Sequence, residues 1–281
     1  MSIVVTVILA IVGILGVLAS IGWLGLRTPP KGFPPHPNKT RDLGTVELPP
    51  SLPKAVYRHF AATLGRQVPK IESAVVWGRA RFRLPSTRFG LWMPVRFKAY
   101  YIAGQDFCRH MEITWFRLPI LRGYDSYLKG EGVLKLEGVL NVSETGEKTN
   151  QSQNLALWAE AVLMPSVLVT DSRIRWEEVD DVTARLAVPF GEQEESLLVR
   201  FDPQTGLMTQ MWAQRYRDQE EEKTPWRIEC LDWETFHSLK IPRLAVMWED
   251  ESGPWSSWTV DGVEYNVDVS EKIRGATLLS R

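Results

Sequence analysis

The chain has 281 residues, with 33 basic and 34 acidic side chains and a formal net charge of −1. That balance excludes a surface built by bulk charge for nucleic acid. Beyond the first 50 residues the length suffices for one large β domain, or two small ones, with a sizeable core. Twelve tryptophans supply large amphipathic area, which suits a β domain with an apolar groove and suits an ordinary β core equally well. Cys108 and Cys230 both fall in strand-like segments. They are read either as buried thiols or as one disulfide, and the count does not fix a redox compartment.

Ile3 to Leu26 carries no charged residue. At about 1.5 Å per residue such a helix exceeds the roughly 30 Å hydrocarbon core of a bilayer. Gly13, Gly16, Gly22 and Gly25 are compatible with a membrane span, and Trp23 stands where an interfacial aromatic belongs. A cleaved signal peptide is the competing reading, but it calls for basic residues before the apolar run, and there are none. Residues 1–26 are therefore expected to be a single-pass transmembrane anchor. Arg27, Lys31, Lys39 and Arg41 all follow the span, which by the positive-inside rule places the large domain in the cytoplasm. Exported domains also follow weakly charged N-termini, so both sides stand. Pro29-Pro30, Pro34-Pro35, Pro37 and Pro49-Pro50 mark residues 27–50 as a proline-rich tether, or as a loop that wraps the domain.

Residues 51–281 are expected to form one mainly β (α+β) domain. Val56, Phe60 and Leu64 recur at i+4 behind Pro53, which predicts a short helix. Val76 to Leu84 then alternates apolar residues with Trp77, Arg79, Arg81 and Arg83, the period of a strand. Met93, Val95, Phe97, Ala99 and Tyr101 repeat it. So do Phe107, Met111, Ile113 and Trp115, and then Leu128 to Leu140, whose Gly130, Gly132 and Gly138 share the inward face and leave room for something packed close above. Asn154 to Leu163 predicts a second helix, stopped by Pro165. Strands resume at Val182–Val188 and Leu197–Phe201. Asp202-Pro203-Gln204-Thr205-Gly206 is a hairpin loop, leading to a strand with Met208, Gln210, Trp212, Gln214 and Tyr216 on one face. Segments around Ile228 and Val246 add two more, and Asp261-Gly262 predicts a tight hairpin. Roughly eight to eleven locally connected strands make an antiparallel meander. A wide sheet with one helix-covered face should curl into a large curved antiparallel sheet or open barrel, covered by two helices with a cleft beneath them.

Several spaced segments, in order, carry a resemblance. They are Leu52-Pro53; Trp92-Met93-Pro94-Val95 with Lys98-Ala99; Gly123-Tyr124-Asp125-Ser126-Tyr127 with Gly130-Glu131-Gly132; and Trp158-Ala159-Glu160 with Met164-Pro165. Ile174-Arg175-Trp176, Phe201-Asp202 with Gly206, Pro225-Trp226, Ile241-Pro242 and Val246-Met247-Trp248 complete the series. From about Leu52 onward the chain resembles an uncharacterised bacterial family of membrane-anchored domains of unknown function, distantly similar to the lipoprotein-carrier-like open β-barrel fold. That resemblance implies an apolar cavity between curved sheet and helices.

No nucleophile elbow or phosphate-binding glycine loop is present, and the histidines His36, His59, His110 and His237 lack metal-ligand spacing. No cofactor or metal is expected. The first functional reading is a membrane-tethered module that binds a lipid or other hydrophobic small molecule. Its expected wall is Phe82, Met93, Val95, Phe97, Met111, Trp115, Trp158, Met208 and Trp212, with Glu160 for a polar headgroup or an arginine. Most of these residues serve equally as plain core. The alternatives are a hydrolase-type enzyme using Glu160 or Asp125 as acid or base, and an assembly partner of another membrane protein. The carboxylates Glu177, Glu178, Asp180 and Asp181 read as a solvated turn rather than a calcium loop.

Overall fold

A computed structural model describes residues 3–37, 40–84, 90–138, 141–248 and 253–279. Leu140, expected on an inward strand face, and Lys39, counted in the charge bias, lie outside them. The apolar run forms one helix, α1 (Ile3–Arg27), with mean hydropathy 2.9 over its best window. The first predicted domain helix is α2 (Lys54–Thr63), which begins directly behind Pro53.

The strands in chain order are β1 (Thr45–Glu47), β2 (Gln67–Pro69), β3 (Ser73–Leu84), β4 (Leu91–Ile102), β5 (Asp106–Trp115), β6 (Leu118–Leu128), β7 (Glu131–Glu137) and β8 (Val142–Glu144). Helix α3 (Glu147–Glu160), one 3₁₀ turn (Ala161–Leu163) and the short α4 (Val167–Thr170) interrupt them. There follow β9 (Arg175–Asp180), β10 (Thr183–Phe190), β11 (Gln193–Phe201), β12 (Met208–Tyr216), β13 (Lys223–Phe236), β14 (Leu239–Trp248), β15 (Ser256–Tyr265) and α5 (Ser270–Leu279). β1 pairs only with β2, and the other 13 strands form one open antiparallel sheet, ordered β8-β7-β6-β5-β4-β3-β15-β14-β13-β12-β11-β10-β9. Two local meanders, β3 to β8 and β9 to β15, are thus sewn together where the last strand pairs with β3.

The sheet's inner face is the main core. Phe60 of α2, Leu155 and Trp158 of α3, and Val95, Leu186, Val199 and Met208 of the strands are fully buried in one cluster. Helix α3 lies across this face although half of it is polar, because its polar groups satisfy strand backbone. Gln151 Nε2 donates to the Gln214 carbonyl at 2.8 Å, Ser152 Oγ to the Tyr216 carbonyl at 2.9 Å, and Asn150 Oδ1 accepts from Gly132 N at 2.7 Å. Gly132 is inward as expected, and what packs above it is the Thr149 backbone of α3, which a Cβ at 132 would strike at 2.6 Å. The helix starts earlier than its apolar stripe, since the polar turn 147–153 is held by these bonds.

Three expectations are corrected. Leu128–Leu140 is not one strand: Lys129 and Gly130, both with positive φ, turn the chain between β6 and β7. Asp261-Gly262 is not a hairpin but a bulge inside β15, because Val260 pairs with Gly78 and Gly262 with Trp77, leaving Asp261 extra. Gly262 packs under the Trp77 indole with no room for a side chain, and the Asp261 carboxylate turns outward to Arg79 (2.7 Å). The C-terminal helix α5 was not expected. It covers the outer face, where Val267, Val269, Ile273 and Ala276 pack on Val75, Trp77, Tyr100 and Cys108. Cys108 and Cys230 are both free and buried, in separate clusters on opposite faces.

The proline-rich segment runs along that outer face too. Arg96 Nη1 donates to the Lys31 carbonyl at 3.2 Å, Lys98 Nζ to the Pro34 carbonyl at 3.0 Å, and the Arg96 guanidinium stacks on Phe33 at 4.6 Å.

Candidate functional site

Beneath α3 the sheet and helix do not meet everywhere. A hollow of about 150 Å³ remains, walled by Phe82, Phe97, Met111, Ile228, Leu244, Val246, Val260, Trp226 and Trp258 from the strands and by Trp255 just before β15, with Gln153, Ala156, Glu160 and Leu163 from the helical layer. Four polar strand residues also face it: Tyr101, Arg109, Asp125 and Arg215. The Phe97 and Trp258 rings meet edge to face at 5.0 Å, and Phe82 lies 5.0 Å from Trp258. The wall is therefore rigid and aromatic on the side of β3, β4 and β15.

Local pairing places the charges. Arg109 of β5 stands opposite Asp125 of β6. It grips that carboxylate with two guanidinium nitrogens, Nε to Oδ1 at 2.9 Å and Nη2 to Oδ2. Its Nη1 donates to Glu160 Oε1 at 2.6 Å, and Tyr101 Oη donates to Glu160 Oε2 at 2.6 Å. The Arg109 guanidinium also stacks 4.6 Å from the Trp258 ring centroid. Burial opposes the charge on Arg109, but Asp125 and Glu160 outweigh it and hold its pKa well above the ordinary guanidinium value. Burial raises the Asp125 carboxyl against the pull of Arg109, and burial with Glu160 nearby raises the Tyr101 phenol. Arg215 of β12 is different. Burial pushes it down to about 10 against the attraction of Glu160 and Asp125, and its Nε has no hydrogen-bond partner among the described residues.

Of the residues expected on the wall, Phe82, Phe97, Met111 and Glu160 come together around the hollow. Val95, Trp158 and Met208 are packed into the core elsewhere, and Met93 is partly buried against that core. Trp115 stands against α1: its Nε1 donates to the Gly22 carbonyl at 3.2 Å and its ring fills the space over Gly25. Trp212 faces a depression lined by Leu198 and Arg200. A bulge moves Trp212. The β11–β12 register slips because Phe201 pairs with Met208 while Arg200 pairs with Gln210, which leaves Thr209 of β12 extra. A slip of one residue exchanges the faces of every side chain beyond it. Met211 and Ala213 therefore become the buried positions of β12, and Arg215 reaches the hollow. Asp125, named as an alternative acid or base, is at the site. Arg109 was missed, although it shares the period-two phase of Phe107 and Met111 and so had a signal.

The outer arginines are partly engaged: Arg79 with Asp261, Arg81 over Trp92 at 5.6 Å, and Arg83 buried with Nη2 on the Gly253 carbonyl at 3.4 Å. His110 is exposed beside Tyr124.

No curated protein matches the sequence. Among solved structures, the chain is similar to a LolA superfamily protein from Nitrosomonas europaea, at 9% identity and a TM-score of 0.45 over 78% of this chain and 94% of the other. It is similar to a putative outer membrane lipoprotein-sorting protein domain from Vibrio parahaemolyticus, at 8% identity and 0.44 over 81% and 96%. A third, a DUF1329 family protein from Desulfovibrio piger, shares 12% identity at 0.41 over 72% and 89%. Residues 44–260 match the model of a family of unknown function, DUF6544, and the chain belongs to that family.

Proposed function

We propose that the chain is a membrane-anchored binding module that receives part of a hydrophobic ligand in the hollow beneath α3. The hollow carries this reading: an aromatic-walled space of about 150 Å³ inside an otherwise close-packed core. An apolar cavity of roughly this size admits a ring-sized group. It is smaller than the roughly 300–1,000 Å³ of a pocket for a whole drug-sized ligand, so the remainder of a longer ligand lies outside it. The hydrolase alternative finds less support. All four oxygens of Asp125 and Glu160 are engaged by Arg109 and Tyr101, which makes the pair a structural brace rather than a poised acid and base.

The anchor reading rests on α1, which is long and apolar enough to span a bilayer. The domain sits close against its end, because Phe116 N donates to the Gly25 carbonyl at 3.2 Å. The β5–β6 turn there exposes Phe116, Leu118 and Ile120, level with Trp23 and Arg27, whose side chains stack at 4.6 Å. An apolar tip beside an interfacial Trp and Arg fits the headgroup boundary of a bilayer.

The test is native mass spectrometry of the full-length protein from several expression hosts, beside Ala156→Phe, which fills the hollow from α3. A ligand retained by the wild type and missing from the variant is the expected result. Equal loads in both overturn the reading, because lipid bound only around α1 survives the substitution.

A further inference from the structure

The hollow contains a cation that the buried ion network leaves out. Arg109 takes both carboxylates of the cluster, and Tyr101 takes the last oxygen of Glu160. Arg215 is held instead by aromatic faces, 4.6 Å from the Trp226 ring centroid and 5.9 Å from Trp248. Its Nε–H is shielded from solvent without an acceptor. The indole N–H groups of Trp226 and Trp255, which line the same hollow, are likewise unpaired among the described residues. Against these three donors the lining offers one unpaired side-chain acceptor, Gln153 Oε1, among the described residues. Buried polar groups in folded proteins are nearly always satisfied, and each exception needs an explanation. Three unpaired donors on residues that line one largely apolar space are explained by a ligand that brings acceptor oxygens.

We propose that Arg215 is the head-group anchor of the hollow, taking the carboxylate of an apolar acid whose body lies against Phe82, Phe97 and Trp258. This rests on the hydrophobic-ligand reading and adds the orientation: the charged end enters, and any tail points out. The planar guanidinium edge matches a carboxylate, and stacking on Trp226 presets its plane without consuming its N–H groups. Four charges line the hollow, Arg109 and Arg215 against Asp125 and Glu160, and they sum to zero, with Asp218 acting on Arg215 from outside it. The ligand's carboxylate is therefore held by its short contacts with Arg215 and the indole N–H groups, and a general positive field plays no part. Burial disfavours the Arg215 cation, and a paired carboxylate relieves that cost.

The experiment is calorimetric titration of the full-length chain in lipid nanodiscs with 4-ethylbenzoate and with the neutral, equally sized 4-ethylbenzamide, against nanodiscs without protein. The benzoate is expected to bind the wild type about tenfold or more tightly than the amide, the scale of one charge-assisted hydrogen bond. In Arg215→Met, which keeps the apolar stem, that advantage is lost and amide binding stays within about threefold. Equal affinities for the two compounds, or a benzoate affinity unchanged in Arg215→Met, overturn the assignment while the hydrophobic-ligand reading stands. Binding of neither compound overturns both. Should Arg215→Met fail to fold, the comparison of the two compounds on the wild type decides alone.

Discussion

Replacing Arg109 with leucine leaves two buried carboxylates with no hydrogen-bonded counter-charge, since Arg215 acts on them only through space. Asp125 is 4% exposed and loses both of its guanidinium contacts, while Glu160 keeps only the Tyr101 hydroxyl. Removing one partner of a buried ion pair costs about 3–5 kcal/mol, because the surviving charge stays desolvated. For a domain of this size each kcal/mol moves the melting temperature by about 2–4 °C, so the expected drop is about 6–20 °C at neutral pH. The pH dependence gives the argument its sign. Burial already raises the Asp125 carboxyl above its ordinary value of 3.8 in the wild type, and loss of Arg109 raises it further. A carboxyl with a raised folded pKa favours the folded state at pH below its unfolded value, and that contribution is lost as pH rises through the folded value. The deficit of Arg109→Leu relative to wild type should therefore be largest at neutral pH and shrink as the solution is acidified toward pH 4. Scanning calorimetry of both proteins from pH 7 to pH 4 reads this directly. A variant within about 1 kcal/mol of wild type at pH 7, or a deficit that grows on acidification, refutes the view of Arg109 as the charge that keeps this cluster buried.

His59 gives an opposite acid signature: burial lowers it to about 3, and its Nδ1 accepts from Met208 N at 3.1 Å. The unfolded chain binds a proton below pH 6.5 that the folded chain refuses, so stability should fall by about 1.4 kcal/mol per pH unit below 6.5 from this site. His59→Leu should flatten that slope in denaturant titrations, and an unchanged slope would sink the assignment. Gly132→Val drives a side chain into the Thr149 backbone of α3 and should cost about 1–3 kcal/mol, seen as a lower urea midpoint; wild-type stability would mean that α3 does not press on β7. Leu118→Cys, labelled with an environment-sensitive fluorophore, should be quenched by brominated lipid in vesicles, since Leu118 is 65% exposed on the tip beside α1. The same label at Leu198→Cys, 42% exposed on β11, should not be quenched, and equal quenching at the two sites would refute the docked-tip arrangement. Cys108 and Cys230 are buried and leave the new thiol as the reactive one.

Much of the architecture was legible because its signals are local. The uncharged run 3–26, Pro53 ahead of an i+4 stripe, and clean alternation in β3 and β4 each report an element from its own residues. What escaped was set by pairing with distant chain. α5 has a weak stripe and is a helix covering Val75 and Trp77 from the far end of the sequence. The polar half of α3 shows no apolar periodicity, since its work is to bond the backbones of β7 and β12.

The bulge in β12 explains why the site itself was read only in part. Alternation assigns a face as long as register is unbroken, and nothing in the local residues of β12 announces that Thr209 is extra. Counting by twos from Met208 therefore pointed Trp212 inward and Arg215 outward, and pairing with β11 reverses both. Arg109 needed no bulge. It sits in phase with Phe107 and Met111, and a charge on an apolar face was itself the signal, explained once Asp125 stands opposite it in β6. The two arginines of the hollow thus arise differently. Arg109 is bound by strand register to its counter-ion, whereas Arg215 is brought inward by a one-residue irregularity and meets tryptophan rings instead of a carboxylate. Bulges re-aim side chains at the cost of ladder hydrogen bonds, and the one in β12 has delivered a cation to an apolar wall. If Arg215 is kept for the ligand and not for the fold, an apolar residue at 215 is the better solution for stability alone, because it spares the desolvation of a guanidinium. Arg215→Met should then gain stability in the ligand-free protein even as it loses affinity for the carboxylate. Melting without ligand and titration with it, made on one preparation, separate a residue kept for binding from one kept for the fold.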